Sequence, residues 1–283
     1  MLNGCAYILT VDVGNTFIRF GLFAEDSAAA QECPLATCEI TTPSSITADE
    51  ARMRLAQVMG ALAADAGMPG ALVPAAAVLS CVVPALERPW KVALSRTCTG
   101  RVLTVGPGLK TGMPVHYDDP AEIGPDRIAD AVAARAVYGS PCIVIDLGTT
   151  TNIEVIDTHG TFVGGVIAPG LALGARSLSA AAARLPQVEP SAPARVIGRN
   201  TREAMRSGVV LGEVARIDGM LDMVLAEMRA TKAAGEGDVP IVITGDDAEA
   251  LAALVVHSLT VDDALTLRGL AELYHINQKP RRA

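Results

Sequence analysis

The chain has 283 residues, a formal net charge of −8, 50% hydrophobic residues and 19% charged residues. This composition excludes a disordered chain, and the length predicts two domains. The acidic balance argues against nucleic acid or an anionic membrane surface as the main partner, since the one basic cluster is the short run at 279–282. Aromatic residues make up only 3%, so Ala, Val, Leu and Ile must build the cores.

Cysteine usage and hydropathy indicate a cytoplasmic protein. The six cysteines form no Cys-x-x-Cys pair and the four histidines show no metal-ligand spacing, which predicts scattered reduced thiols. The first apolar run reaches Asp12 too soon for a signal peptide. The apolar stretch 71–86 is bracketed by Pro74 and Pro84 and is shorter than a membrane span, so it predicts a buried strand over 76–83.

In chain order, the first part of the sequence predicts three strands followed by alternating helices and strands. Strands are expected over 7–12, 17–23 and 36–40. Thr47 and Glu50 have the spacing of a capping box, and the helix they start is expected to end at Gly67. A strand to Cys81, a helix over 84–95 and a strand over 101–105 follow, which together indicate a mixed sheet.

The second part repeats this order. A helix is predicted over 125–137, then three strands over 142–146, 153–156 and 161–167. A long helical region to Lys232, a strand over 239–244, and helices over 248–256 and 264–274 complete the chain.

Two short segments, 11–16 and 145–150, are repeats of one motif. Each places an aspartate, Asp12 or Asp146, at the end of a predicted strand, followed by a Gly-Asn or Gly-Thr hairpin turn. Such a carboxylate suits Mg²⁺, while turn N–H groups and the threonine hydroxyl suit phosphate oxygens. The aspartates lie 146 − 12 = 134 residues apart, which predicts a duplicated fold with halves 1–118 and 119–283 and a nucleotide clamped between them.

Three further segments have both an ordinary and a functional interpretation. Pro125 and Asp126 suit a helix N-terminus, but Asp126 could equally orient a substrate hydroxyl with Arg127 near an anionic group. The glycines of 164–170 suit either simple turns or a close approach of the backbone to a ligand or another segment. Asn200 or Thr201 is by default a helix N-cap.

With these segments together, the sequence resembles the type III pantothenate kinases of the actin-like ATPase superfamily. Segment 12–16 is similar to the family's D-x-G-N-T phosphate loop, and 146–149 to its second loop, D-x-G-T. Segment 124–127 is similar to its G-x-D-R pantothenate motif. Segment 164–170 is similar to G-G-x-I-x-P-G, and 198–201 to G-x-N-T. The resemblance implies an α/β, duplicated actin-like ATPase (ribonuclease H-like) fold, with two mixed-sheet halves around a nucleotide cleft.

The resemblance also implies a reaction and a set of site residues. The enzyme would phosphorylate pantothenate with ATP, the first step of coenzyme A biosynthesis, as a homodimer that needs Mg²⁺ and K⁺ or NH₄⁺. Asp126 would be the base, Asp146 would ligate the monovalent cation and Thr149 would meet ATP. The residues that would hold the ATP phosphates and Mg²⁺ are Asp12, Val13, Gly14, Asn15, Thr16, Phe17, Ile18 and Arg19. Those that would contact pantothenate are Tyr117, Gly124, Pro125, Asp126, Arg127 and Thr201.

Two departures from the family's pattern fall on the ATP side. After D-x-G-T the family reads A-T-T-F-D, whereas this chain has Asn152 and the longer Glu154 at the third and fifth positions. Where the family has T-G-G, this chain has Thr244-Gly245-Asp246, followed by Asp247. Negative charge there would repel an anionic nucleotide. The alternatives are therefore a catalytically degenerate paralogue with a binding or regulatory role, and a sugar or acetate kinase, against which segment 124–127 argues.

Overall fold

The computed structural model describes residues 6–26, 32–68 and 72–278, and the chain forms two compact units. The first unit comprises Met1–Val137 with Ala264–Ala283, and the second comprises Tyr138–Asp263. The N-terminal cysteine, the Pro69-Gly70 pair and the basic cluster 279–282 lie outside the described residues.

The first unit contains a mixed five-stranded sheet. Its strands are β1 (Tyr7–Val13), β2 (Phe17–Ala24), β3 (Ala36–Thr41), β4 (Ala76–Cys81) and β5 (Val102–Thr104). Its first helices are α1 (Ala48–Asp65), α2 (Pro84–Thr97) and α3 (Pro125–Tyr138), with a short 3₁₀ helix at Pro120–Glu122. The strand order is β3-β2-β1-β4-β5, in which β1–β3 are antiparallel neighbours and β4 and β5 run parallel to β1.

The second unit contains a sheet built in the same way. Its strands are β6 (Cys142–Leu147), β7 (Thr150–Ile156), β8 (Phe162–Pro169), β9 (Ile241–Gly245) and β10 (Thr260–Val261). Its helices are α4 (Leu171–Ala181), α5 (Thr201–Arg206), α6 (Gly212–Ala230) and α7 (Ala248–Ala252), with a π-helix at Ser207–Leu211 between α5 and α6. The last helix, α8 (Leu265–Ile276), packs on β1 and β4 of the first unit.

The identical strand orders, β3-β2-β1-β4-β5 and β8-β7-β6-β9-β10, confirm the predicted pair of α/β mixed sheets. Each begins with the three-stranded antiparallel meander expected from the sequence, and β4 and β9 occupy equivalent positions parallel to the first strand. The compact units differ in extent from the predicted halves, because α3 and α8 belong to the first unit. The division into 1–118 and 119–283 stays a prediction.

Strand alternation determines which side chains reach the core. Leu9, Val11 and Val13 of β1 are fully buried against the face of the sheet that α1 and α2 cover. Because successive strand residues point to opposite faces, Asp12 lies on the other face. There α8 covers part of the sheet, where Leu267 and Ala271 pack on Phe23.

Local sequence signals locate the ends of α1 as predicted. The Thr47 side chain accepts from the Glu50 N–H, and the Glu50 carboxylate accepts from the Thr47 N–H at 2.8 Å, which makes a complete capping box. At the other end Gly67 has a φ of 65°, a conformation that glycine adopts without strain.

Elsewhere the structure differs from the predicted elements. The helical region to Lys232 is interrupted by the π-helix and ends at Ala230, and α7 ends at Ala252 rather than at 256. Strand β9 begins at Ile241 rather than at 239, and β10 was not predicted. None of the helices in the described ranges is long and apolar enough to cross a membrane. The cysteines in those ranges are all unpaired thiols.

Candidate active site

The first phosphate-loop motif forms the three-residue turn between β1 and β2. The Gly14 N–H donates to the Phe17 carbonyl at 3.0 Å, and a Cβ at Gly14 would lie 2.9 Å from that same oxygen. Thr42, just beyond β3, braces the turn: its hydroxyl donates to the Gly14 carbonyl and its N–H to the Thr16 carbonyl. Asn15 and Thr16 are exposed at the tip, where polar groups can meet a ligand.

Asp12 is the buried carboxylate of this turn. It lies opposite Arg19 on β2 and Ser80 on β4, and only 7% of it is exposed. Burial, and then the negative charge of Asp126, raise the pKa of Asp12 to about 6, while the Ser80 hydroxyl and the Arg19 guanidinium act in the opposite direction. Asp12 and Asp126 therefore interact electrostatically within the first unit.

Asp126 is the second residue of α3, as the helix-start interpretation predicted. Its Oδ1 accepts from the Arg127 N–H at 2.8 Å, and burial raises the pKa of the carboxyl group. A Cβ at Gly124 would lie 2.4 Å from Asp126 Oδ1, so the glycine leaves the space that this carboxylate occupies. Pro125 is the first residue of α3, where its missing N–H has no cost.

The other residues of the first unit that the motifs single out differ in what they can offer a ligand. Val13 and Ile18 are fully buried in the core, so only their backbone groups can reach one. Arg19 pairs with Glu39 at 3.0 Å and lies over the Phe17 ring, its side chain one-third exposed. Tyr117 is half-buried in the segment before α3.

The geometry around Asp12 fits a divalent cation. Its Oδ1 is buried and has no hydrogen-bond partner in the part of the chain that the structure describes. A cation there would offset the cost of burying one carboxylate beside another. No group of three His, Cys, Asp or Glu in the described ranges is arranged as a metal cage.

The second phosphate-loop motif forms a two-residue turn between β6 and β7, one residue shorter than the first. The Gly148 N–H donates to the Thr150 carbonyl at 2.9 Å. Gly170 lies directly against the turn: its N–H donates to the Thr149 carbonyl, and a Cβ there would lie 2.3 Å from the Gly148 oxygen. Of the two interpretations of segment 164–170, close approach to another segment therefore applies at Gly170, while Gly164 adopts a positive φ beside a register shift in β7.

Asp146 occupies in the second sheet the position that Asp12 occupies in the first. It lies opposite Asn152 on β7 and Thr244 on β9, and the Asn152 amide donates to Asp146 Oδ2 at 3.4 Å. Glu154, two residues further along β7, is on the same face and fully buried between Val144 and Gly165 on the neighbouring strands.

The Gly245-Asp246-Asp247 segment packs against the end of β6. Gly245 has a φ of 100°, and a Cβ there would lie 2.1 Å from the Leu147 carbonyl oxygen. The Asp246 N–H donates to that oxygen at 2.8 Å. Both aspartates are exposed residues. The partial burial of the Asp247 carboxyl group and the charge of Asp246 raise the pKa of Asp247.

The Gly198–Thr201 motif starts α5. Asn200 is the N-cap, since its side chain accepts from the Glu203 N–H at 3.0 Å, and the exposed Thr201 is the first helical residue. A Cβ at Gly198 would lie 2.3 Å from the Ala204 nitrogen, so this position needs a glycine. The default interpretation of the motif as a helix cap is correct for Asn200.

Sequence reasoning missed several residues that brace the two loops. Ser80, the residue before the end of β4, could have been found from the predicted strand to Cys81, whereas Thr42 carries no local signal. Thr151, Glu213 and Arg216 form a hydrogen-bonded chain in the second unit that links β7, α6 and the end of β8. Only the three-dimensional arrangement shows it, since Thr151 and Glu213 are 62 residues apart.

Two mixed sheets of the same topology, each with an aspartate near the end of its first strand and before a glycine turn, form the duplicated α/β fold of the actin-like ATPases. A Baf family protein from Campylobacter jejuni shares the fold, with a TM-score of 0.54 at 18% identity over 95% of this chain and 98% of that chain.

Sequence comparison identifies the family within this superfamily. The family model for type III pantothenate kinases matches residues 8–223. The type III pantothenate kinase 2 of Symbiobacterium thermophilum is 39% identical over 274 residues, covering 96% of this chain and 97% of that protein. The type III pantothenate kinase of Nocardia farcinica is 39% identical over 279 residues, covering 97% and 99%. The chain belongs to the type III pantothenate kinase family.

The buried charge of Asp12 makes a prediction about stability. In the folded protein Asp12 keeps its proton up to about pH 6, whereas the unfolded chain releases it near its ordinary pKa of about 4. The unfolded state therefore binds fewer protons between these values, and wild-type stability falls as the pH rises through them. We expect Asp12→Asn to raise the free energy of unfolding at pH 7 by up to about 3 kcal/mol, the equivalent of this pKa difference.

Urea unfolding of both proteins from pH 4 to pH 8, without divalent cations, measures this effect. The advantage of Asp12→Asn should be small at pH 4 and level off above about pH 6, the folded-state pKa. Asp238→Asn is the control, because Asp238 is exposed in the loop before β9. An advantage that does not change with pH, or a loss of stability at pH 7, would contradict the electrostatic explanation.

Proposed function

We propose that this protein transfers the γ-phosphoryl group of ATP to pantothenate, giving 4′-phosphopantothenate and ADP in the first step of coenzyme A biosynthesis. The observation that supports this most directly is the placement of Asp126. Its carboxylate lies at the rigid start of α3, and its charge acts on Asp12, the strand-end carboxylate of the first phosphate loop. A proton acceptor and a cation-binding carboxylate are thus neighbours within one unit.

In this proposal Asp126 aligns the pantothenate hydroxyl and accepts its proton. The hydroxyl oxygen bonds to the γ-phosphorus, the bond to the bridging oxygen breaks, and ADP leaves with that oxygen. Burial, which raises the pKa of Asp126, makes it a better proton acceptor than an exposed aspartate. Tyr117, Gly124, Pro125, Arg127 and Thr201 supply the remaining pantothenate contacts.

The nucleotide contacts are assigned to the two glycine turns. Residues 12–19 hold the phosphates and Mg²⁺, whose role is to neutralise charge that develops on the transferring group. Thr149 contacts ATP in the second turn. Asp146 is assigned to the monovalent cation, supported by the amide of Asn152 and the hydroxyl-bearing Thr244 across from it, since carboxylate, amide and hydroxyl oxygens suit hard cations.

The role of Asp126 is tested by Asp126→Asn. The amide keeps the size of the side chain but accepts a proton poorly, so kcat with pantothenate should fall by about a hundredfold or more. Coupled ADP-release kinetics at saturating ATP measure this, with circular dichroism to check the fold. Asp119→Asn is the matched control, because Asp119 caps the preceding 3₁₀ helix and asparagine caps equally well. A near wild-type rate for Asp126→Asn would show that Asp126 only stabilises the start of α3 and has no role in catalysis.

The acidic segment at the end of β9 predicts weak ATP binding. Asp246 is exposed beside Leu147, next to the second turn, and its charge repels phosphate. Asp246→Gly should lower KM for ATP and leave KM for pantothenate nearly unchanged. The hydrogen bond from the backbone N–H of residue 246 to Leu147 is available to glycine as well.

Asp246→Asn separates charge from side-chain size in this test. If repulsion operates, the asparagine variant should reproduce most of the improvement. ATP titrations at saturating pantothenate and fixed K⁺ compare the three proteins. An unchanged or higher KM for ATP in both variants would show that Asp246 does not repel the nucleotide, and a higher one would fit a carboxylate that binds the ribose hydroxyls.

We also propose that the protein is a homodimer. Val196 and Ile197, directly before the Gly198–Thr201 motif, are 72% and 81% exposed, and an interface would remove this apolar surface from water. Sedimentation should give twice the chain mass of 29.2 kDa. Ile197→Asp should shift the equilibrium towards monomer, whereas the control Val256→Asp, at the similarly exposed Val256, should not. A wild-type monomer at micromolar concentration would refute the dimer.

The runner-up function, ligand binding without catalysis, is favoured by the two exposed carboxylates at Asp246 and Asp247. Both are in the second unit, whereas Asp12, Asp126 and Arg127 in the first unit match the family's motifs. Phosphorylation of pantothenate by the wild-type protein would exclude it.

A further inference from the structure

A partly buried ionic chain in the second unit connects α6 to β7, which follows the second phosphate loop, and to the end of β8, which adjoins Gly170. The Thr151 hydroxyl, on β7, donates to Glu213 Oε1 at 2.7 Å, and both residues are at least 96% buried. The other Glu213 oxygen, Oε2, pairs with Arg216, whose Nη2 also donates to the Pro169 carbonyl at 2.6 Å. One helix thus holds the start of β7 and the end of β8.

Both anchored positions adjoin the Gly148–Thr149 turn. Thr151 follows it by two residues, and Pro169 precedes Gly170, whose N–H donates to the Thr149 carbonyl at 3.1 Å. No side chain can be inserted between Gly170 and the turn, because a Cβ would lie 2.3 Å from the Gly148 oxygen. Any displacement of Pro169 is therefore transmitted directly to the backbone of the turn.

Packing alone does not account for this arrangement. A buried carboxylate has a desolvation cost that its partner offsets only with good geometry, and apolar residues of similar volume often stabilise a core at least as well. An ion pair adds a fixed relative position of its partners. The planar guanidinium of Arg216 contacts Glu213 and the Pro169 carbonyl at the same time.

The π-helix before α6 gives a second argument for a functional arrangement. The π-helix Ser207–Leu211 ends directly before α6, and Glu213 and Arg216 are the second and fifth residues of that helix. π-helical turns are rare and are frequent at functional sites. The wider turn rotates α6 relative to α5, which sets the face that Glu213 and Arg216 present.

We propose that Glu213 and Arg216 are positioning residues that hold the Gly148–Thr149 turn in the geometry that binds nucleotide phosphate. This rests on the proposed role of the turn in ATP binding. Neither residue needs to touch the nucleotide. Their effect should appear in ATP binding and not in pantothenate binding, whose motifs lie at Gly124–Arg127 and Gly198–Thr201.

Glu213→Gln and Arg216→Met test the proposal. Glutamine retains an oxygen for the Thr151 hydroxyl but loses the charge that holds Arg216, and methionine removes the guanidinium while retaining the side-chain length. We expect each to raise KM for ATP about tenfold, the size of one lost charge-assisted hydrogen bond, with KM for pantothenate changed by less than about twofold. Because the two residues act as a unit, the double variant should be little worse than either single one.

Two further variants separate positioning from stability. Arg216→Lys retains the charge with a single donor group and should give an intermediate KM for ATP. Arg229→Met makes the same substitution at an exposed site of α6 and should change nothing. A folding defect alone lowers the concentration of active enzyme and thus the apparent kcat, without a selective rise in KM for ATP. Wild-type KM values for both substrates in Glu213→Gln and Arg216→Met would overturn the proposal.

ATP affinity measured by calorimetry, without pantothenate, distinguishes this proposal from the proposed function. If the wild type binds ATP but does not phosphorylate pantothenate, the proposed function fails, and a tenfold weaker affinity in the variants still supports the positioning role. If turnover is present and the variants bind ATP as tightly as the wild type, only the positioning role fails. A wild-type protein that binds no ATP overturns both.

Discussion

The candidate site in the first unit depends on one unfavourable feature, the burial of the Asp12 carboxylate and the partial burial of Asp126. Each is placed by an element that cannot easily move: Asp12 by the central strand β1 and Asp126 by the first turn of α3. Burial raises the pKa of both groups, and the negative charge of Asp126 raises the pKa of Asp12 further. The folded chain thus retains a buried negative charge that a bound cation can neutralise, which fits phosphoryl transfer, where charge neutralisation and positioning dominate.

The duplication shows how one backbone arrangement supports two different sites. In both sheets the first strand ends in an aspartate opposite a polar residue on the second strand and a hydroxyl residue on the parallel strand. In the first unit these are Arg19 and Ser80, and in the second they are Asn152 and Thr244. Arg19 places a positive charge beside Asp12, whereas Asn152 places a neutral amide beside Asp146. The strand order alone therefore does not determine what each loop binds.

The sequence predicted the parts of this structure that depend on local patterns. The repeated Asp-x-Gly turns, the strand over 7–12 and the capping box of α1 depend on local sequence, and the structure has all three. Strand β10 has only two residues, both exposed, so it has no hydrophobic pattern to detect. The π-helix and the Thr151–Glu213–Arg216 chain arise from tertiary packing between distant segments, and local propensity does not encode them. Helix α7 ends early, at Ala252, although the residues that follow it to 256 would suit a helix.

The segment after β9 shows why a departure from a family motif can leave the fold intact. Of the two glycine positions in that motif, only Gly245 is required by the backbone, because of its positive φ and its contact with Leu147. Position 246 contributes its N–H to the Leu147 carbonyl, a bond that any residue except proline can make, while the side chain is exposed. An aspartate there changes the electrostatic potential beside the second turn without changing the path of the chain. Its consequences should therefore be found in nucleotide affinity and not in stability.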